Sequence, residues 1–224
     1  MAHLIAVPTP IGNLEDITLR SIRMLKACDF VIAEDTRVTK KLLKLLDIQK
    51  WVVSFHTHNE HAQLAEMLHK IETAEMVVLV SDAGTPGISD PGYLLIRGCI
   101  EKGIKVECLP GPTAFVPALV ASGLPCDRFY FEGFLPHKKG RQTKMKALVD
   151  KDCTVVLYES PYRLIKCLEQ IIEFMGPERK VVVGREISKM FEEFVRGTAP
   201  EVLLHFKSKE IKGEFVVMIA SAEG

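Results

Sequence analysis

Apolar and polar positions along the first half of the chain fall into two alternating periods. Short apolar runs, LIAV at 4–7, FVIA at 30–33, VVSF at 52–55, MVVLV at 76–80 and VECL at 106–109, have the length of buried strands. Between and after them apolar residues recur every three or four positions, which predicts helices near 18–27, 39–46, 59–71, 93–102 and 113–121. Strands that are each followed by a helix predict a parallel sheet with helices on both faces. Such a sheet takes its ligands at the carboxyl ends of its strands.

The stretch SGLPCD at 122–127 carries two breakers, Gly123 and Pro125, and marks a domain boundary. Beyond it come DRFYFEGF, a basic helix, CTVVLYE, a helix over 161–175, KVVVGREI, EEFVRGT, a helix over 200–207 and EFVVMIA. VVVGREI and EEFVRGT follow one another with no helix between them, so this half predicts a mixed sheet. The expected organisation is two α/β domains: 1–121 with a parallel sheet and 122–224 with a mixed one. No internal repeat or low-complexity tract interrupts them.

Composition changes this picture little. A chain of 224 residues with 47% hydrophobic and 26% charged positions buries a full core and excludes a disordered class. Lys plus Arg equals Asp plus Glu at 29 each, so global charge points to no class of partner. Local charge does: PHKKGRQTKMKALVDK at 136–151 holds six Lys or Arg against a single Asp. The six cysteines lie far apart, which argues against a zinc site and a disulfide framework. The opening MAHLIAVPTPIGN has no basic segment leading into a long apolar one, and no run approaches about eighteen apolar residues. The expectation is a cytoplasmic protein.

Three strand ends share one chemistry: VPTPIGN at 7–13, SDAGTPGISDPG at 81–92 and PGPTA at 110–114. None has the glycine spacing or the lysine of an ordinary nucleotide-phosphate loop. Their glycines let a ligand approach the backbone, and their prolines fix the loops in advance. Thr113 stands where the cap of the next helix belongs, leaving N–H groups for a carboxylate. Each loop also has a plain reading as a turn, and Asp82 as a cap. Glu34, Asp35 and Arg37 in EDTRVTKK project at the same edge, as site residues or as a capped, salt-bridged helix start. His56 and His58, with His61 nearby, offer either metal ligands or a solvated loop. The basic run suits phosphate contact as well as a solvated helix face. The aromatics Phe129, Tyr130, Phe131 and Phe134 before it have the spacing of core residues, which favours packing over a role as base-stacking platforms. On the residues alone the reading stops at a small polar ligand, held without a metal.

Taken in order, VPTPIGNLEDITLR, AEDTR, SDAGTPGISDPG, LPGPTAFVPALVASGLP, FEGFLP, YESPYR, GREISKMFEE and GEFVVMI resemble the ribosomal RNA small subunit methyltransferase I family of the tetrapyrrole methylase superfamily. The likeness runs through essentially the whole chain. It implies 2′-O-methylation of a cytidine ribose in the decoding region of small-subunit ribosomal RNA, with S-adenosylmethionine as methyl donor. It also implies a homodimer of two-domain protomers with the cofactor in the cleft between domains. By that likeness Pro8, Asp82, Thr85, Thr113 and Ala114, and from the second domain Tyr158, Arg185 and Glu214, line the cofactor pocket. The candidates for catalysis are Asp35, Arg37 and His56, with Asp35 or His56 accepting the proton and Arg37 on phosphate. Lys138, Lys139, Arg141 and Lys144 are the RNA-binding candidates. Many relatives continue past the strand matching EFVVMIA into a further basic segment, which puts more of the RNA contact here on that patch. Two other readings stay open. One is methylation of a tetrapyrrole or another small substrate, and the other is a non-catalytic RNA-binding relative.

Overall fold

A computed structural model describes residues 2–55 and 60–222, the side chains of 60–62 excepted. Its contacts group the chain into two compact units, Met1–Thr113 and Ala114–Gly224. The helix that the sequence-based boundary left with the first domain packs with the second unit.

The first unit alternates strand and helix: β1 His3–Ala6, α1 Leu19–Ala27, β2 Phe30–Ala33, α2 Thr36–Leu45, β3 Trp51–Ser54, α3 Glu60–Glu72, β4 Met76–Val80, α4 Tyr93–Glu101 and β5 Lys105–Cys108. All strand pairs are parallel, in the order β3-β2-β4-β1-β5. The strands read as unbroken apolar runs because both faces are covered. Leu4, Phe30, Ile32, Val77 and Leu79 face Met67, Leu68 and Ile71 of α3 and Leu95 and Cys99 of α4. Ile5, Val31, Val78 and Val80 face Leu25 of α1 and Leu43 of α2.

This topology creates a switch point. The chain leaves β1 towards β2 and leaves β4 towards β5, although β1 and β4 are neighbours. Their following helices therefore cover opposite faces of the sheet, and the two loops part at the carboxyl edge, where α/β sheets hold ligands.

The second unit contains α5 Phe115–Ser122, β6 Phe129–Phe134, α6 Arg141–Ala147, β7 Thr154–Glu159, α7 Leu164–Met175, β8 Lys180–Arg185, β9 Glu193–Thr198, α8 Ala199–Lys207 and β10 Phe215–Ile219. Its sheet runs β6-β7-β10-β8-β9, parallel between β6 and β7 and antiparallel elsewhere, so it is mixed as expected. Val155, Leu157, Val181, Val183 and Val217 pack under Leu164, Cys167 and Ile171 of α7 and Val202 and Phe206 of α8. On the other face, a Cβ at Gly184 would stand 3.7 Å from Cβ of Ala118, so α5 lies close against β8.

Three helix starts depart from the expected bounds, α7 among them at Leu164 rather than 161. α2 begins at Thr36 rather than 39 because Asp35 caps it, its side chain accepting the Arg37 N–H. α5 begins at Phe115 with Ala114 at the cap, so Thr113 is not the capping residue. Among the described residues no helix is long and apolar enough to cross a membrane.

Candidate functional site

The loops leaving β1 and β4 are joined where they part. Thr9 and Gly84 exchange backbone hydrogen bonds of 2.9 Å each, and the Thr9 hydroxyl donates to the Ser81 carbonyl at 3.2 Å. Thr9 and Ser81 are both buried, so these polar groups depend on one another. Gly84 sits at φ +84°, a conformation that costs glycine little. The loop after β5 closes the group. The Thr85 hydroxyl donates to the Pro112 carbonyl at 3.0 Å, and a Cβ on Gly111 would fall 2.7 Å from that of Pro8. Pro8, Thr85 and Thr113 therefore belong to one tied set of loops. Pro8 is buried, while Thr85 and Thr113 are half-buried.

Asp82 extends the set to β2. Its Oδ1 accepts the Asp35 N–H at 3.0 Å. Asp35 in turn receives the Arg37 guanidinium at 2.6 to 3.1 Å and the Arg37 backbone N–H at 2.8 Å. The Arg37 bonds, side chain first, push the Asp35 carboxyl down to about 2, and they raise the Arg37 guanidinium. A carboxylate held that low is a weak proton acceptor at neutral pH. Arg37 has its charge matched by the same pair.

A residue that the sequence reading passed over lies beside them. Asp90, the second aspartate of the long loop, is half-buried, hydrogen-bonded to Ser81 and close to Glu34 and Asp82. Burial, then the Glu34 charge, pushes its carboxyl up to about 7. Nothing local in ISDPG announces this, because Glu34 reaches it from another strand end. His56 and His58 lie outside the described residues, as does the side chain of His61.

In the second unit Tyr158, Arg185 and Glu214 share one end of the sheet, since Phe215 pairs with both Glu159 and Arg185. The Tyr158 hydroxyl accepts the Phe115 N–H at 3.3 Å, next to Ala114. Its ring packs edge-on against Phe131 and tilted against Phe134, but Phe129 and Phe134 are themselves exposed, so the core packing expected of these aromatics holds only in part. Arg185 donates to the Lys212 carbonyl at 2.8 Å, and Glu214 is ion-paired with Lys189 at 3.0 Å.

The basic run divides. Arg141 is 2% exposed, bound to Glu159 at 2.6 Å and to Gln170 at 2.9 Å, which corrects its assignment to the RNA surface. Its guanidinium is buried in the core, where Arg163 shares Glu159 at 2.9 Å. Lys144 pairs with Glu132 at 2.9 Å. Lys138 and Lys139 are exposed and have no ion pair among the described residues. A depression of about 460 Å³ lined by Asp29, Trp51, Lys70 and Glu75 opens at the other edge of the first sheet and holds none of these groups.

A sequence model of the Tetrapyrrole (Corrin/Porphyrin) Methylases matches residues 3–203. The proteins named Ribosomal RNA small subunit methyltransferase I from Synechocystis sp. and Thermotoga maritima are 45% and 43% identical to this chain. The first alignment covers 99% of this chain and 80% of the relative, and the second covers all of both. The chain belongs to the tetrapyrrole methylase family, and within it to the ribosomal RNA small subunit methyltransferase I group. Its fold is that of the family's solved structures. The uroporphyrin-III C-methyl transferase of Thermus thermophilus, complexed with S-adenyl homocysteine, superposes with a TM-score of 0.69 at 19% identity, over 100% of this chain and 99% of that one.

Two measurements check this geometry. The folded methyltransferase holds the Asp90 proton to about pH 7, whereas an ordinary aspartate releases it at 3.8, so Asp90 lowers stability as pH rises through that window. Asp90→Asn should therefore melt a few degrees above wild type, roughly, at about pH 8, with the gain gone near about pH 4. A pH-independent difference would remove the crowding of carboxylates. Arg141→Ala should cost about 3 kcal/mol in urea unfolding by breaking a buried pair. Replacing Lys138 and Lys139 by Ala should cost almost nothing.

Proposed function

We propose that this methyltransferase transfers the methyl group of S-adenosylmethionine to the ribose 2′-oxygen of a cytidine in small-subunit ribosomal RNA. One observation carries the reading: 43% identity over the whole of both chains to a relative named for that RNA. The ordered motifs SDAGTPGISDPG, EDTR and GFLP support the ribosomal branch over small-substrate methylation.

The first unit suits the cofactor. S-adenosylmethionine supplies a methyl group on a sulfonium, already activated for displacement, and carries an ammonium besides. Asp82, with Glu34 and Asp90 beside it, forms an acidic edge that a cation would relieve. The tied loops at Pro8, Thr85 and Thr113 offer a rigid wall, and rigidity here helps hold the acceptor oxygen in line for attack. The contribution of Ala114, Tyr158, Arg185 and Glu214 to cofactor contacts is carried by the resemblance alone, as is the homodimer.

In this proposal Asp35 holds Arg37 and the α2 terminus rather than taking a proton, and Arg37 faces phosphate. The acceptor is Asp90, whose carboxyl is pushed up to about 7 and so takes a proton late in the displacement effectively, or His56.

Methyl transfer from labelled S-adenosylmethionine to small ribosomal subunits lacking 2′-O-methyl marks, followed by nucleoside identification, tests the reading. Labelled 2′-O-methylcytidine is expected, and label only on base or on a tetrapyrrole would sink it. Of Asp90→Asn and His56→Ala, the one removing the acceptor should lower kcat about a hundredfold or more with KM little changed. Asp82→Ala should weaken cofactor binding by about 1 to 3 kcal/mol in calorimetry. An unchanged Kd would take Asp82 out of the site.

A further inference from the structure

Tyr162 is 97% exposed, unlike the other tyrosine of its loop's approach, Tyr158, which is packed and hydrogen-bonded. Its ring does not hang on a loose loop. On one side the Ser160 N–H donates to Glu159 at 2.9 Å, and on the other the Arg163 guanidinium donates to the Ser160 hydroxyl at 3.1 Å and pairs with Glu159. The N–H groups of Arg163 and Leu164 both return to the Ser160 carbonyl, and Pro161 fixes the backbone between. A large flat side chain is thus displayed by a rigid turn, which lowers the entropy cost of anything that settles on it.

The same buried carboxylate brings cations to this turn. Arg141, at the start of α6, binds the second oxygen of Glu159, so the segment just before it is tethered through the core to the same carboxylate as the Tyr162 turn. That segment carries Lys138 and Lys139, exposed and without an ion pair among the described residues. Lys166, in the first turn of α7, is exposed and likewise without one. An exposed aromatic ring on a turn that shares its buried anchor with a segment of unpaired lysines suits a polyanion with splayed flat bases, which is a single strand rather than a duplex.

We propose that Tyr162 is a base-stacking platform for a single-stranded segment of the RNA substrate, with Lys138, Lys139 and Lys166 on the flanking phosphates. This rests on the reading of the chain as an RNA methyltransferase. Phosphate contacts by the lysines give affinity that falls with salt, whereas stacking on the tyrosine is insensitive to it.

Fluorescence anisotropy with fluorescein-labelled oligocytidylate separates the two contributions. Tyr162→Ala should weaken binding about tenfold with the salt slope unchanged, and Tyr162→Phe and Tyr162→Trp should restore it. Exchanging Lys138 and Lys139 for Gln should flatten the slope by about 0.7 per lost contact. In methyl transfer to small subunits, Tyr162→Ala should raise KM and leave the Kd for S-adenosylmethionine unchanged. Wild-type binding by Tyr162→Ala on an enzyme that methylates ribosomal RNA overturns the platform alone. So does a Tyr162→Ala effect confined to the sedimentation of the protein, which would mark a protein contact. If the wild-type chain neither methylates ribosomal RNA nor binds the oligonucleotide, the functional reading falls and the platform with it.

Discussion

Thr9 and Gly84 exchange backbone hydrogen bonds at the point where β1 and β4 send their chains to opposite faces of the sheet. Loops at such a point lack a regular partner for their N–H and C=O groups, and buried groups of that kind must be paired. The reciprocal bond solves this, and the rest of the edge follows from it. Ser81 is held under Thr9, Asp82 is placed to accept the Asp35 N–H, and Thr85 reaches the Pro112 carbonyl. The glycines serve this arrangement individually. Gly84 supplies a left-handed turn, and Gly111 leaves the space that the Pro8 ring fills. Prolines in the same loops remove freedom before folding, so the wall is preorganised rather than assembled around a ligand.

Convergence has an electrostatic consequence. Asp35 and Asp90 are the same residue type on one edge, yet one is pushed down to about 2 and the other up to about 7. Asp35 has a guanidinium and a helix N–H; Asp90 has burial and neighbouring carboxylates. The edge thereby holds one firmly ionised group locked to Arg37 and another balanced near neutrality. The second combination accepts a cation or a proton readily, and both are needed in methyl transfer from a sulfonium to a hydroxyl.

In the second unit a single buried carboxylate plays the organising part. Glu159 takes Arg141 and Arg163 together with the Ser160 N–H. Removing three charges from water is costly unless geometry and hydrogen bonds compensate; Gln170 takes one Arg141 N–H, while Nη1 of Arg141 and of Arg163 stay buried without a partner among the described residues. The return is positional: the basic segment and the Tyr162 turn are fixed to one another through the core. The division of the basic run into core and surface cations is settled by this one group.

Local chemistry was enough for much of this protein. The strand runs and helical periods lie where the sheets and helices form, because burial on two faces or one stripe leaves a pattern a few residues long. The order of motifs likewise placed the chain in its family, and the three Gly/Pro loops marked the carboxyl edge of the first sheet, the edge at which parallel sheets take ligands. Other features were invisible at that range. KKGRQTKMK reads as a uniform cationic stretch, and only the fold shows that Arg141 turns inward to a carboxylate 18 residues on. Asp90 gives no sign of its raised carboxyl, since Glu34 and Asp82 crowd it from elsewhere in the chain. Thr113 has the look of a cap that the fold assigns to Ala114. The amino-acid order determined which segments are strands, helices and loops, since periodicity is written in neighbouring residues. Hydrogen-bond partners, desolvation and the sign of a charge's surroundings were decided by the tertiary structure, since they depend on atoms that meet only when distant segments pack.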